Sequence, residues 1–264
     1  VGNDNIGNAQ NRFPYLTQIG DGGSTGFGLN GTWASGKTER ILGVENLTWE
    51  KSYKTGIGLE IGLWDKLNLI FDGFAERRKN ILIERKSLSS IAGYSNLLVY
   101  ANKGEMDNKG MDASIEYNDN FGDVGLRLFG NVTYSRNKIV FADEPVRRYG
   151  YQSMTGTRYG EYQGHIALGY FTSKEEVESA PQQKFNPVSP GDIRYKNLNA
   201  EDDNIIDAYD RTYLGKSWFP SWLYGAGFSA SYKNFDLSLF FQGVADVGIM
   251  ANGSEIPGKG MGVN

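Results

Sequence analysis

The stretch that most constrains this chain is Tyr53 to Phe74, YKTGIGLEIGLWDKLNLIFDGF. Tyr53, Thr55, Ile57, Leu59, Ile61 and Leu63 recur at every second position, and Lys54, Gly56, Gly58, Glu60 and Gly62 fill the gaps. Trp64 ends the run and Asp65-Lys66 supplies a turn. Leu67, Leu69 and Phe71 then return in alternation with Asn68, Ile70 and Asp72. A period of two predicts a β-hairpin whose faces meet different surroundings. The apolar face touches either a protein core or lipid.

Two later hairpins repeat the pattern. In the first, Ala113, Ile115 and Tyr117 alternate with Asp112, Ser114 and Glu116, and Asn118-Asp119-Asn120 with Gly122 makes the turn. Val124, Leu126, Leu128, Val132 and Tyr134 then alternate with Gly125, Arg127, Asn131 and Thr133. In the second, Tyr224, Ala226, Phe228, Ala230 and Tyr232 alternate with Gly225, Gly227, Ser229 and Ser231 before a Lys233-Asn234 turn. Phe235, Leu237, Leu239 and Phe241 return against Asp236, Ser238 and Gln242.

Long segments separate these hairpins. Val1 to Trp49 is rich in Gly, Asn and Asp and reads as a loop with local β-structure, extended around Pro14 and strand-like over Thr25 to Trp33. The charge run Glu76-Arg77-Arg78-Lys79 marks where a strand leaves the apolar zone, and Asn80 to Lys109 reads as a polar excursion with an apolar patch at Leu97 to Tyr100. Residues 136–218 form a very long connection with a helix expected over Ser173 to Ser179.

Tight turns at one end and long loops at the other are the habit of outer-membrane barrels. A soluble sandwich has strands at regular spacing and does not normally tolerate connections this long. The fold expected for 1–264 is therefore all-β, a transmembrane antiparallel β-barrel with residues 136–218 as an extracellular loop. About six membrane-type strands are visible, whereas a closed barrel needs at least about eight. Open sheet edges cost several kcal/mol per unpaired group in hydrocarbon. The chain then carries only a partial set of strands.

Composition narrows the function. No run of roughly 18 apolar residues exists, so no transmembrane helix is available. Cysteine is absent, which excludes disulfide scaffolds and thiolate metal sites. A net charge of −4 gives no case for nucleic acid. His165 is the one histidine, without a Ser or Asp partner nearby in sequence, and reads as a loop-packing residue. No catalytic triad or paired acid is apparent, so an enzyme is not expected. The opening VGNDNIG carries no signal peptide, and the chain reads as an internal piece of something longer.

One constellation looks like a site. Asn199 to Asp210, NAEDDNIIDAYD, lays Asn199, Glu201, Asp203, Asp207 and Asp210 on the first, third, fifth, ninth and twelfth positions of a calcium loop. Asn204 replaces the turn glycine, Asn199 replaces the leading Asp, and no flanking helix pair is expected. An acidic surface turn is the competing reading. Tyr159 and Tyr162 in a tyrosine- and glycine-rich stretch, with Trp218 and Trp222 before the last hairpin, are candidates for substrate or lid contact. The two tryptophans also suit an interfacial aromatic girdle.

Several stretches together resemble the C-terminal barrel portion of the SusC/RagA-like TonB-linked outer-membrane transporters. VGNDNIG with RFPYL is similar to a loop signature of that family. NLTWEKSYKTGIGLEIGLWDKLNLIFDGFAERRKNIL resembles its N-x-x-L-x-W-E loop and following hairpin, and NKGMDASIEY its N-x-G-x-E strand start. PGDIRYKNLNAEDDNIIDAYDRTYLG resembles its PGDIxYxDxNGDGxIDxxDRxxIG segment, and YGAGFSASYKNFDLSLFFQG the hairpin after it. NAEDDN stands where the family has NGDG, which bears on calcium and not on membership.

The resemblance implies a 22-stranded barrel in the outer membrane with a plug, driven by TonB. It implies import of oligosaccharides or peptides beneath a SusD-like surface lipoprotein. A secreted or surface glycan-binding β-protein is the alternative from another class.

Overall fold

The computed structural model describes residues 2–4, 13–29, 31–88 and 97–250. Most of VGNDNIG and the sequence after Met250 lie outside the described residues. The strands come in chain order as β1 (Gly2–Asp4), β2 (Gln18–Phe27), β3 (Thr32–Leu42), β4 (Glu50–Leu63), β5 (Leu67–Glu84), β6 (Leu98–Phe121) and β7 (Val124–Phe141). A connection follows with β8 (Glu161–Gly164), β9 (Ala167–Tyr170), helix α1 (Lys174–Ser179), β10 (Gln182–Gln183), β11 (Ile193–Tyr195), β12 (Ile205–Ile206) and β13 (Thr212–Ser217). β14 (Trp222–Tyr232) and β15 (Phe235–Ala245) complete the order.

The main sheet runs β1-β4-β5-β6-β7-β14-β15, with β3 joining β6 and β2 pairing β3. It is one layer thick, and Ile57 is 75% and Leu59 57% exposed. Among the described residues no second sheet covers them, so the two-faced pattern is not that of a sandwich core. The fold is a partial all-β barrel wall whose sheet does not close on itself.

The ladders fix which residues share a face. Tyr134, Val132, Gly130, Leu128, Leu126 and Val124 of β7 pair with Trp222, Tyr224, Ala226, Phe228, Ala230 and Tyr232 of β14. Those β14 residues pair in turn with Ala245, Gly243, Phe241, Leu239, Leu237 and Phe235 of β15. Every residue on this face is apolar or aromatic. The other face carries Arg127, Asn131 and Thr133 against Ser229, Gly225 and Leu223, and Ser238 and Asp236 against Ser229 and Ser231. Eleven residues of β14 span about 36 Å of strand at about 3.3 Å each. Tilted by about 45°, that covers an apolar band about 25 Å tall.

Two turns differ from expectation by a small step. The Lys66 amide donates to the Leu63 carbonyl at 3.1 Å. This makes Trp64 and Asp65, at φ 55° and 54°, the central pair of the β4–β5 turn in place of Asp65-Lys66. Two left-handed residues give the turn the twist of its flanking strands. Likewise Gly122 (φ 63°) with Asp123 makes the β6–β7 turn, and β6 continues through Asn118-Asp119-Asn120 to Phe121. Lys233-Asn234 is the β14–β15 turn as expected.

Segments that the sequence predicts as loops are in large part strand. Asn80 to Lys109 is mostly strand, because β5 runs to Glu84 and β6 starts at Leu98. β7 runs to Phe141, so the long connection covers 142–221 in place of 136–218. Thr25 to Trp33 is the tip of the β2–β3 hairpin, closed by Gly28 and Gly31, both at positive φ. Phe13 to Leu16 is a turn around Pro14, where an extended piece was expected.

The chain divides into two compact units: 1–57, 73–110 and 136–157 in the first, and 58–72, 111–135 and 158–264 in the second. In the first, ion pairs join neighbouring strands. Arg78 pairs with Glu50 and approaches Glu76, and Arg77 reaches Glu105 at 3.1 Å and Asp107 at 3.6 Å. Asp143, nearly buried, accepts from Arg85 Nε at 3.0 Å and Ser87 Oγ at 2.7 Å. In the second, Asp72 Oδ1 lies 2.5 Å from where a Cβ on Gly58 would stand, so only glycine fits there without displacing that carboxylate.

Candidate functional site

Within the second compact unit, residues 158–217 fold into short strands and helix α1 with buried side chains among them. Ser173 caps α1 by accepting from the Glu176 amide, as its place before a helical run predicts. Glu176 accepts from the Thr172 amide and hydroxyl, both at 2.8 Å, and pairs with Arg194 on β11. These bonds hold its carboxyl below the usual range, the Thr172 amide contributing most. Phe171 and Ile206 are buried and form a miniature apolar core. Gln183 bridges to β11, donating to the Ile193 carbonyl and accepting from the Tyr195 amide. His165 packs on Phe185 and Tyr195 with Nε2 2.8 Å from the Asp207 carbonyl, the loop-packing role expected of it.

Three of the five residues of the expected calcium loop, Asp203, Asp207 and Asp210, bond backbone amides of this segment. Asp210 is fully buried, and its two oxygens accept from the Leu198 and Asp207 amides at 2.7 and 2.9 Å. Asp207 accepts from the Tyr209 amide, and Asp203 from the Ile205 amide. Asn199 donates to Asp203 at 3.5 Å. Glu201 is exposed. Among the described residues, no group of three or more His, Cys, Asp or Glu side chains is gathered to hold a metal ion. The Asp203, Asp207 and Asp210 carboxylates accept from amides along the turn.

Three of the four aromatic candidates come together. Tyr162 meets Trp218 edge-on at 6.2 Å, Tyr159 stacks on Phe219 at 6.1 Å, and Trp218 touches Phe219 at 5.9 Å. Tyr159, Trp218 and Phe219 are each about half exposed, Tyr159 and Trp218 at 54%. Such a ledge offers apolar faces to sugar rings, to peptide side chains or to a covering protein. Gly160 (φ 72°) lets the backbone pass under Trp218, whose Nε1 lies 2.6 Å from a Cβ built there. Trp222 stands apart, its ring 4.5 Å from Tyr134 on the apolar face.

Beside the ledge lies a polar node that sequence reading missed. Arg158, 6% exposed, donates to Ser221 Oγ and Asp246 Oδ2, both at 2.7 Å, and to the Gly215 carbonyl. Lys216 reaches Asp246 Oδ1 at 2.7 Å, and Ser221 Oγ donates to Asp246 Oδ2 at 2.8 Å. Lys216 first, then Arg158 and Ser221, hold the Asp246 carboxyl far below the usual range. The node ties the start of the connection to β13 and to the residue after β15. Its members lie up to 88 residues apart, so no local spacing announces it.

Comparison with known proteins agrees with this architecture. The TonB dependent receptor-like β-barrel family matches residues 5–248. TonB-dependent receptor P26 of Formosa agariphila is 26% identical over 229 residues, 81% of this chain and 22% of its own length. TonB-dependent receptor P3 of the same organism is 28% identical over 212 residues, 75% of this chain and 20% of its own length. The RagAB peptide importer superposes with a TM-score of 0.61 in its closed-closed state and 0.62 in its open-open state. Both superpositions are at 17% identity and cover 89% of this chain and about a quarter of the other. The chain thus spans about a fifth of the curated relatives it matches. On the family match and the wall it folds into, this chain belongs to the TonB-dependent receptor-like β-barrel family.

Proposed function

We propose that this chain supplies wall strands and extracellular structure to an outer-membrane importer driven by TonB. The observation that carries the reading is the single-layer sheet, apolar throughout on one face of β7, β14 and β15 and mixed on the other, where Arg127, Asn131, Ser229, Ser238 and Asp236 stand beside Phe129 and Phe240, in a chain of this family. The apolar face suits lipid, and the polar face suits a wet lumen. Substrates of the proposed importer are oligosaccharides or peptides. The likeness to a complex described as a peptide importer supports the peptide class. A SusD-like surface lipoprotein is proposed as the extracellular partner, and TonB is proposed to act on a plug contributed by the rest of the protein. The ledge of Tyr159, Tyr162, Trp218 and Phe219 is the proposed first contact for substrate or lid.

The test is uptake by cells carrying the full-length protein. Labelled peptides and labelled oligosaccharides are supplied separately, with TonB present or depleted. One class is expected to enter only when both the protein and TonB are present, and a lipoprotein is expected to co-purify. Uptake indifferent to both proteins, or recovery of the protein from the medium, would sink the importer reading in favour of a secreted glycan-binding role.

A further inference from the structure

The mixed face of the wall carries two unusual rows of side chains within the second compact unit. The ladders set Phe129, Gly227 and Phe240 side by side across β7, β14 and β15, and Asn131, Gly225 and Gln242 side by side in the next row on the same face. Successive rows on one face stand about 7 Å apart. The two phenyl rings are nearly parallel, at 15° and 5.9 Å between centroids. Their far edges overlie the glycines of β14. A Cβ on Gly227 would stand 2.6 Å from Phe129 Cζ, and one on Gly225 would stand 3.0 Å from Phe240 Cζ and 2.7 Å from Asn131 Oδ1. The two glycines therefore leave a trough into which both rings and the Asn131 amide lean.

The polar groups around these rows satisfy one another. Thr133 donates to Asp112 at 2.6 Å, Arg127 to Glu116 at 2.9 Å, and the Ser229 and Ser238 hydroxyls bond each other at 2.9 Å. Asn131 and Gln242 are exposed, and among the described residues neither side chain has a hydrogen-bond partner. Each amide offers both donors and an acceptor. Phe240 is 54% exposed, and a phenyl ring in water forgoes the gain of burial until an apolar surface covers it. The two rows hold no formal charge. The nearest cation, Arg127, is held by Glu116 and stands 5.1 Å over Phe129. A ligand suited to these rows is uncharged, with one flat apolar face and a rim of groups that both donate and accept. A pyranose ring has that form, its C–H face matching the phenyl row and its hydroxyls the amide row. A free peptide brings charged ends that nothing in these rows would pair.

From this we propose that Phe129, Phe240, Asn131 and Gln242 form a subsite for a neutral sugar ring of an oligosaccharide moving along the wall, about 17 Å down β14 from its start at Trp222. The proposal rests on the importer reading, and at this site it selects the saccharide from the two proposed substrate classes.

The test uses the full-length protein in detergent, without TonB. The separate probes are maltohexaose, cellohexaose, xylohexaose and a tryptic digest of casein. At least one hexasaccharide is expected to bind the native protein, and to change the emission of the Phe240→Trp variant by more than it changes that of the native protein. The digest is expected to leave that added emission unchanged. Phe129→Ala and Phe240→Ala are each expected to weaken saccharide binding roughly tenfold. Gly225→Ala removes no group, yet is expected to weaken binding by displacing the Phe240 edge and the Asn131 amide. Leu239→Ala, on the opposite face, is expected to leave it unchanged. Heat-modifiable migration of each variant reports whether the barrel still forms. Because binding is measured apart from uptake, absent TonB-dependent uptake counts against the importer reading, whereas the binding data decide this subsite. Binding of none of the three saccharides, saccharide binding indifferent to both phenylalanine truncations, or an emission change produced by the digest alone would overturn the assignment.

Discussion

The wall and the segment 158–217 solve the same burial problem in opposite ways. The wall strands expose their apolar residues, with Leu128, Leu239 and Ile57 all open on the apolar face. Their backbone groups are satisfied by long uninterrupted ladders, such as the eleven pairs between β7 and β14. The segment does the reverse. Its strands are two to six residues long, and its order comes from buried side chains such as Phe171, Ile206 and Asp210. A surface that meets lipid needs no inward packing, because the surrounding medium takes the place of a core. A structured excursion in water must build a core, and this one builds much of it from carboxylates and amides.

The sharpest way to break that contrast is a charge in the lipid band. Leu128→Arg sits midway along the outward run of β7 and is expected to cost the assembled barrel about 2–4 kcal/mol. Ser229→Asn on the opposite face is expected to cost almost nothing. Chemical unfolding from vesicles, followed by heat-modifiable migration, compares the two, and equal effects would mean that the faces do not differ in solvent.

In the segment 158–217 the largest effect is expected from Asp210→Ala. It leaves the Leu198 and Asp207 amides without their acceptor, at about 1–3 kcal/mol for a buried donor. Hydrogen exchange should accelerate at those two amides while the wall strands keep their protection. Loss of wall protection in the same variant would show that the segment is not an independent unit of stability.

Asp246→Asn is expected to do less. Its carboxyl side chain is 27% exposed, so the about 3–5 kcal/mol typical of a broken buried pair falls to about 1–2 kcal/mol. Its depressed carboxyl gives a sign for pH. The contribution is fully present above the unfolded value of about 3.9 and is lost as pH falls through the lower folded value. Protease sensitivity of the connection should stay flat from about pH 8 to 5 and rise only in strong acid. A transition near pH 6 would point to another group.

Calcium is expected to have the smallest effect. With the acidic turn bonded to its own amides, millimolar Ca²⁺ should move the unfolding midpoint of the connection by less than about 1 °C. A shift of several degrees, abolished by Asp203→Asn, would restore a calcium loop at Asn199 to Asp210.

What could be read in the sequence follows the same division. β4, β7, β14 and β15 were legible because one face is apolar and the other is not, so alternation survives as text. The upper parts of β5 and β6 look like loop in the sequence because charged residues fill both faces over Glu76 to Lys79 and one face over Lys103 to Lys109, and the apolar residues there, Ile81 to Ile83 and Leu98 to Tyr100, come in unbroken runs and not in alternation. Arg77 and Glu105 stand on one side, Arg78 and Glu50 on the other, and period two disappears without contrast. The β4–β5 turn was misplaced by one residue because Trp64 occupies a left-handed position normally given to Asn or Gly. In the segment 158–217, α1 was legible from its local cap at Ser173, whereas the Arg158–Asp246 node was not, since its partners meet only through the fold.

The length of β6 carries one more consequence. Its 24 residues amount to roughly 79 Å of strand, yet an apolar band asks for only about 11 of them. The surplus carries charge on both faces, with Glu105, Asp107 and Lys109 on one and Asp112 on the other. A strand of that length needs partners to match, and β5 and β7, at 18 residues each, supply them, so the charged stretch is held by the same ladder as the apolar one.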